Sequence, residues 1–280
     1  MEKENLKKSP ERLGIIEKIK EYEAKGLFDR DVENDPPSRE LLPGEIEYVK
    51  KGAIARLKTK IAFFLAYRFA AKLQKQRQLI VKDIVGKENL RFEGGAVLTA
   101  NHFSPMDSFI MQYAFDASEK KGKFYRVIRE GNYTSFPGFY GFLMRNCNTL
   151  PLSSNSATMR KFLRAVDTVL KNKDCVLIYP EQSMWYNYRK PKPLKIGAYQ
   201  LAVKSGVPIV PVFITMSDSD TLDADGFFVQ EHTVHIGKPI YADVSLSRKE
   251  QAEKMMADNF EFNKSVYEKV YGIPLKYETV

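Results

Sequence analysis

The sequence predicts an α/β fold with a mostly parallel central sheet flanked by helices, and with a basic amphipathic helical element at the N-terminal side. From residue 79 onward, apolar runs of strand length alternate with segments of helical periodicity. Residues 176–178 and 207–214 are apolar throughout, which is typical of strands buried on both faces. This alternation favours helices packed on both sides of a parallel sheet.

The predicted elements follow in order along the chain. The predicted strands are residues 96–100, 123–128, 175–179, 208–214 and 233–236. The predicted helices are residues 53–77, 108–117, 138–145, 156–171, 197–204 and 248–270. Gly206 is placed to end the helix before it. Pro208 and Pro211 predict that the strand containing them lies near a sheet edge or carries a bulge.

The N-terminal region differs from the rest of the chain in composition and in predicted secondary structure. Residues 1–50 are polar, with helical character around 12–25, and prolines break the pattern within 31–43. We therefore predict an N-terminal helical, membrane-docking region over residues 1–78 and an α/β domain over residues 79–280.

The helix predicted at residues 53–77 is basic and rich in aromatic side chains. No acidic residue lies between Lys50 and Arg77. Its apolar stretch is interrupted by Arg68 and is shorter than the roughly 20 residues that span a bilayer. Such a helix fits an interfacial position on anionic lipid. The alternative is a helix packed on the core with a solvated basic face.

The composition limits which binding partners and which cellular compartment are expected. The net charge of +9, from 44 basic and 35 acidic residues, favours an anionic partner, either nucleic acid or a membrane surface. Cys147 and Cys175 lack metal-ligand spacing, and neither a zinc-finger pattern nor a Walker loop occurs. Residues 1–8 show no signal-peptide pattern, which predicts the cytoplasm and reduced thiols.

His102 and Asp107 form the first candidate site. His102 follows a predicted strand, Asp107 stands at the start of a predicted helix, and Ser104 with Pro105 supplies a turn between them. A histidine base and its orienting carboxylate at a strand end suit an α/β active site. The alternative is that Asp107 caps the helix and His102 is an ordinary loop residue.

Other polar residues are weaker candidates. Glu181 follows the strand at 175–179, either as a second carboxylate at the same sheet edge or in a surface turn. Cys147 is predicted to be a buried structural thiol. His232 and His235 are predicted to be strand-surface histidines rather than a metal pair, because no third ligand is evident. We predict no metal site.

Three sequence blocks resemble one family. The segment Asn101-His102-Phe103-Ser104-Pro105-Met106-Asp107 is similar to an Asn-His-x4-Asp block, and Tyr179-Pro180-Glu181 is similar to a Phe-Pro-Glu block. Residues 195–198 together with 207–212 resemble its final Val-Pro-Ile-Val-Pro-Val block. Over about residues 85–212 the chain thus resembles the glycerolipid acyltransferases, which include the lysophosphatidic acid acyltransferases.

The resemblance implies acyl transfer from a thioester to a lysolipid hydroxyl. His102 is expected to act as general base and Asp107 as its orienter, with direct attack and no acyl-enzyme. Acyl-CoA or acyl carrier protein is expected as co-substrate, without any cofactor. An anionic membrane surface is the expected partner instead of nucleic acid, and the expected location is peripheral on the cytoplasmic, inner face of the cell membrane.

The sequence departs from the family pattern at two arginine positions, where Ser154 and Met184 stand. An arginine fork is not replaced easily at a phosphate site. The residues expected to contact the acceptor are Asn101, Glu181, Gln182, Ser183, Ser154, Arg145 and Lys195, although Glu181 could instead support the site. Alternatives are O- or N-acyl transfer to a lyso-glycolipid or lyso-aminolipid without a phosphomonoester, a non-catalytic membrane-binding relative, and a hydrolase.

Overall fold

The computed structural model describes residues 8–34 and 38–278. The start of the chain, residues 1–7, and the Asp35-Pro36-Pro37 part of the predicted break lie outside the described residues. The helices are α1 (Pro10–Ala24), α2 (Ala53–Lys75), α3 (Asp107–Ala117), α4 (Glu130–Thr134), α5 (Gly138–Asn146), α6 (Ser156–Lys171), α7 (Gly197–Ser205) and α8 (Arg248–Tyr271). The strands are β1 (Ile80–Val85), β2 (Ala96–Thr99), β3 (Phe124–Ile128), β4 (Thr149–Pro151), β5 (Cys175–Ile178), β6 (Ile209–Leu222) and β7 (Phe228–Ile236).

Local sequence explains several helix ends. The Asn155 side chain caps α6 by accepting from the N–H groups of the first turn. Ser247 and Glu250 form a reciprocal capping box at the start of α8. Gly206 ends α7 as predicted, in a left-handed conformation with a φ of 65° that glycine adopts without strain.

The seven strands form one sheet in the order β1-β7-β6-β2-β5-β3-β4. The five strands from β6 to β4 run parallel, whereas β7 pairs antiparallel with β6 and parallel with β1. The predicted α/β class with a mostly parallel sheet is therefore confirmed.

The predicted placement of the proline-containing strand is wrong, because β6 lies inside the sheet between β7 and β2. Its register irregularity lies between Asp218 and Leu222, far from the prolines. The carbonyl of Pro211 accepts from Gly237 just beyond the end of β7, so the missing proline N–H lies where the antiparallel ladder has already ended. An interior strand can therefore carry this proline.

Two helical layers cover the sheet. Successive residues of β2 point to opposite faces, so Val97 and Leu98 belong to different core clusters. The Leu98 face packs against α3 through side chains such as Ile110. The Val97 face packs against α6, α7 and α8, with Phe162 and Tyr199 fully buried. Each layer removes large apolar side chains from water, at roughly 1.5–3 kcal/mol per fully buried side chain.

Helix α2 has two unlike faces. Its inner face packs against α5, where Ala62 is buried beside Leu143 and Cys147. Its outer face exposes large apolar side chains, namely Ile54, Leu57, Ile61, Phe64 and Tyr67. In the part of the chain that the structure describes, no helix has the length and apolar character needed to cross a membrane.

The N-terminal segment contacts the loop that follows β5. Ile15 and Val32 pack around Trp185, which is completely buried. The Trp185 indole N–H donates to the carbonyl of Arg30 at 2.9 Å. The predicted domain boundary after residue 78 stays a prediction, and the N-terminal segment forms part of the packing beneath this loop.

Candidate active site

His102 and Asp107 meet at the carboxyl edge of the parallel strands. His102 follows β2, and its Nδ1 lies 2.6 Å from Oδ2 of Asp107 in the first turn of α3. The Ser104 hydroxyl accepts from the backbone N–H of Met106, which closes the turn between them. Met106 is the N-cap, so Asp107 orients the imidazole instead of capping α3.

Tyr179 completes this arrangement from the end of β5. Its hydroxyl donates to Oδ1 of Asp107 at 2.7 Å, and its ring stacks on the His102 imidazole with centroids 4.3 Å apart. Burial raises the pKa of Tyr179 well above its ordinary value, with a further contribution from Asp107, so the phenol stays a donor. No role was predicted for Tyr179 from the sequence, although its position after a buried strand was a usable signal.

Glu181 supports the backbone of the site. Its Oε2 accepts from the backbone N–H of His102 at 3.2 Å, and its Oε1 accepts from the N–H of Lys192 at 3.0 Å. Burial raises the pKa of Glu181, and the Lys192 ammonium 3.8 Å away opposes that shift. Glu181 is only 3% exposed, so its contacts are those of a support rather than of a residue that faces the acceptor.

Lys192 is a buried cation that was not predicted from the sequence. Its Nζ donates to the backbone carbonyl of Ser183 at 2.6 Å and to the Ser183 hydroxyl at 2.9 Å. Burial lowers the pKa of Lys192 to about 8, despite the opposing charge of Glu181. The Ser183 hydroxyl in turn donates to the carbonyl of Phe28. Ser183 was predicted to contact the acceptor, but it is buried and links the loop to the N-terminal segment.

Asn101 was also predicted to contact the acceptor, and the structure gives it another task. Its side-chain amide donates to the carbonyl of Ile214 and accepts from the Ile214 N–H, at 3.0 and 2.8 Å. Asn101 is buried, and both bonds run to strand β6. It therefore holds the His102 loop against the sheet, because its amide is committed to the backbone.

Two further residues predicted to contact the acceptor bond to other parts of the chain. Arg145 donates to the carbonyls of Tyr133 and Phe136, so its guanidinium braces the corner between α4 and α5. Lys195 pairs with Asp29 at 2.8 Å in an exposed ion pair.

Gln182 is exposed beside Glu181 and has a positive φ of 67°. Its side chain therefore faces solvent directly after Glu181, which bonds the backbone of His102.

Ser154 lines a cleft of about 280 Å³ at the ends of β3 and β4. The cleft is lined by Ser38, Arg129, Glu130, Gly131, Asn132, Phe136, Leu152, Ser153 and Ser154. The Ser154 backbone N–H donates to Glu130, and Arg129 pairs with Asp31 at 3.2 Å. The cleft thus brings one cation and one carboxylate to the same sheet edge as His102.

Both cysteines and His232 are buried, whereas His235 is partly exposed. Burial raises the pKa of the Cys147 thiol, and it raises that of Cys175 to about 11. The prediction of a strand-surface position is wrong for His232, which is buried, stacks on Phe103 and bonds the Ile80 carbonyl through Nδ1. Within residues 8–34 and 38–278, no group of three His, Cys, Asp or Glu could hold a metal ion.

The fold and this pair define an α/β protein with a histidine–aspartate dyad at the carboxyl edge of its sheet. A family model described as Acyltransferase matches residues 82–215. That segment, which carries the histidine–aspartate pair, is therefore similar to the acyltransferase family.

Two curated proteins are similar to the same part of the chain. The chain is 28% identical to the 1-acyl-sn-glycerol-3-phosphate acyltransferase of Saccharomyces cerevisiae over 56% of this chain and 50% of that protein. It is 30% identical to an uncharacterized acyltransferase of Schizosaccharomyces pombe over 47% of this chain and 46% of that protein. The chain thus spans about half the length of the curated relatives it matches.

Among solved structures, the fold is similar to the 1-acyl-sn-glycerophosphate acyltransferase PlsC of Thermotoga maritima. The TM-score is 0.48 at 20% identity, and the match covers 79% of this chain and 98% of that one.

Proposed function

We propose that this protein transfers a fatty acyl group from an acyl thioester to the hydroxyl of a lysolipid of the 1-acylglycerol-3-phosphate type. The observation that carries the proposal is the 2.6 Å contact between His102 and Asp107 inside the matched acyltransferase segment. Both named roles, base and orienter, need the two side chains in hydrogen-bond contact.

His102 is the general base in this proposal. Its Nδ1 is held by Asp107, and among the described residues its Nε2 makes no hydrogen bond, while the side chain is 24% exposed. Nε2 can therefore take the proton of an acceptor hydroxyl, and Asp107 stabilises the resulting imidazolium.

The bond changes follow directly. The acceptor oxygen attacks the thioester carbonyl carbon, forming the C–O bond and moving the carbonyl electron pair onto oxygen. The electron pair on that oxygen then re-forms the carbonyl, the C–S bond breaks, the thiolate leaves with the C–S bonding pair, and the imidazolium returns its proton to sulfur. No acyl-enzyme is needed, and both thiols of the chain are buried away from the site edge.

The donor in this proposal is an acyl phosphopantetheine thioester, the chemistry that coenzyme A and acyl carrier protein share. Thiolates leave readily, so positioning and deprotonation are the tasks left to the protein. No metal or redox group takes part in any of these steps.

The lipid acceptor places the reaction at a membrane, and α2 is the element that we propose docks there. Ile54, Leu57 and Phe64 on its outer face are 73%, 58% and 59% exposed. Exposed basic residues flank this stripe, namely Arg56, Lys58, Lys60, Arg68, Lys72 and Lys75. Apolar insertion combined with cationic contact to anionic headgroups suits a peripheral position on the inner face of the cell membrane.

A second candidate acceptor is supported by the cleft at β3 and β4. Ser154, at an expected arginine position, bonds Glu130 through both its backbone N–H and its side chain, and Arg129 pairs with Asp31. A dianionic phosphomonoester gains little from a cleft whose charges are nearly balanced. A lyso-glycolipid or lyso-aminolipid, which has no phosphomonoester, is better matched to that charge balance.

A panel of lysolipids incubated with the purified protein tests these proposals. Acyl-CoA and acyl carrier protein donors form separate arms, and mass spectrometry detects the acylated products. We expect one lysolipid class to be acylated in at least one arm. Free fatty acid without acylated lipid would instead establish a hydrolase, and vesicle binding without thioester consumption would establish a non-catalytic membrane protein.

A further inference from the structure

Asp107 is held on both of its oxygens. Oδ2 contacts Nδ1 of His102 at 2.6 Å, and Oδ1 accepts from the Tyr179 hydroxyl at 2.7 Å. Asp107 is only 1% exposed, so solvent cannot replace either partner. The same Tyr179 ring stacks on the imidazole at an interplanar angle of 17°. One side chain therefore contacts both members of the dyad.

We infer that Tyr179 is a positioning residue, whose hydroxyl fixes the Asp107 carboxylate and thereby sets how readily His102 takes up a proton. The inference rests on the proposed function, in which His102 is the general base. It assigns Tyr179 no contact with substrate or with the reacting atoms.

The direction of the effect follows from charge distribution. A carboxylate that donates electron density to a second hydrogen bond offers less of it to the imidazolium. Without the Tyr179 hydroxyl, Oδ1 of Asp107 keeps its full charge in a buried environment. That charge stabilises the protonated form of His102, so the base is occupied by a proton up to a higher pH. The carboxylate also loses one of the two contacts that fix its rotation.

Other titratable side chains face Asp107, His102 and Tyr179. His232 on β7 faces Asp107, and burial lowers the pKa of His232, so it carries no charge near neutral pH. Glu181 faces His102 from the loop after β5, where Lys192 pairs with it. Arg126 on β3 faces Tyr179 and is itself buried. The exchange of Tyr179 for phenylalanine leaves all of these side chains in the protein.

Tyr179→Phe is the test, because it keeps the stacked ring and removes only the hydroxyl. Tyr113→Phe is the matched control, since Tyr113 lies on the same helix as Asp107 and donates to Gln74 at 2.6 Å, away from the dyad. Acyl transfer to the preferred lysolipid is measured from pH 5 to 9 for both variants, together with unfolding by denaturant at pH 7.

For Tyr179→Phe we expect kcat/KM at pH 7 to fall roughly tenfold, about the size of one hydrogen bond to a charged group. We expect the acid limb of the pH–rate profile to move to higher pH by roughly half a unit to one unit. Tyr113→Phe should leave the limb in place. An unchanged acid limb in Tyr179→Phe would overturn the inference, even if the variant is less stable, because lost stability alone does not move that limb.

Different results would contradict the proposed mechanism and the role of Tyr179. If His102→Ala retains full transfer, the proposed mechanism fails and the acid limb has another origin. If His102→Ala is inactive but Tyr179→Phe keeps the wild-type profile, only the role of Tyr179 is wrong.

Discussion

Oε2 of Glu181 accepts a hydrogen bond from the backbone N–H of His102 at 3.2 Å. The carboxylate of one sequence block therefore holds the main chain of another, 79 positions away in the sequence. Lys192 lies on the far side of Glu181 and contacts Ser183 in the same loop. The site is thus braced by a buried ion pair that is separate from the dyad.

Breaking this ion pair on one side should destabilise the fold. Lys192→Met leaves the Glu181 carboxylate buried without its counter-charge, so we expect the free energy of unfolding to fall by about 3 kcal/mol. Denaturant unfolding at pH 7 measures it. The double variant Lys192→Met/Glu181→Gln leaves neither charge and should recover much of the loss. Additive losses in the double variant would show that the two residues do not interact.

Lys192 also makes the free energy of unfolding depend on pH. Its pKa is about 8 in the folded chain, against an ordinary value of 10.5. Between these two values the unfolded chain binds more protons, so the Lys192 contribution to stability rises with pH across that window.

Unfolding at pH 8 and at pH 10 measures this contribution, with Lys192→Met as control. The stability of the wild type relative to Lys192→Met should increase with pH over that window. A constant or decreasing difference would contradict the buried, partly discharged state of this lysine.

The outer face of α2 should control vesicle binding. Leu57→Glu/Phe64→Glu places charge on the exposed apolar stripe and should weaken binding to anionic vesicles at least about tenfold, since each buried apolar side chain is worth roughly 1.5–3 kcal/mol. Vesicle co-sedimentation measures this. Val244→Glu, at another exposed apolar residue, is the control and should bind normally. Equal binding of both variants would place the lipid contact elsewhere.

Part of this site could be predicted from the sequence, because local patterns predict the strand, the turn and the helix that bring its residues together. His102 follows a buried strand and Asp107 begins the next helix, so their contact needs only the turn at Ser104. The parallel sheet then brings the ends of β2 and β5 together, which places Glu181 near His102.

Other features depended on tertiary contacts that no local pattern shows. Lys192 lies between two prolines in a basic run, a pattern typical of a solvated surface, yet it is buried on Ser183. Arg145 was predicted to bind the acceptor, and its Nη1 also donates to the carbonyls of Tyr133 and Phe136. These partners meet only after folding, so composition and spacing could not reveal them.

The most direct test of the account is the rate of acyl transfer by His102→Ala at pH 7, with His235→Ala as the matched histidine control. His235 lies on β7 and contacts Thr215, away from the dyad. Removing a general base should lower kcat at least about 100-fold, with circular dichroism and vesicle binding unchanged, while His235→Ala keeps its rate. Full acyl transfer by folded His102→Ala would contradict the account at its centre.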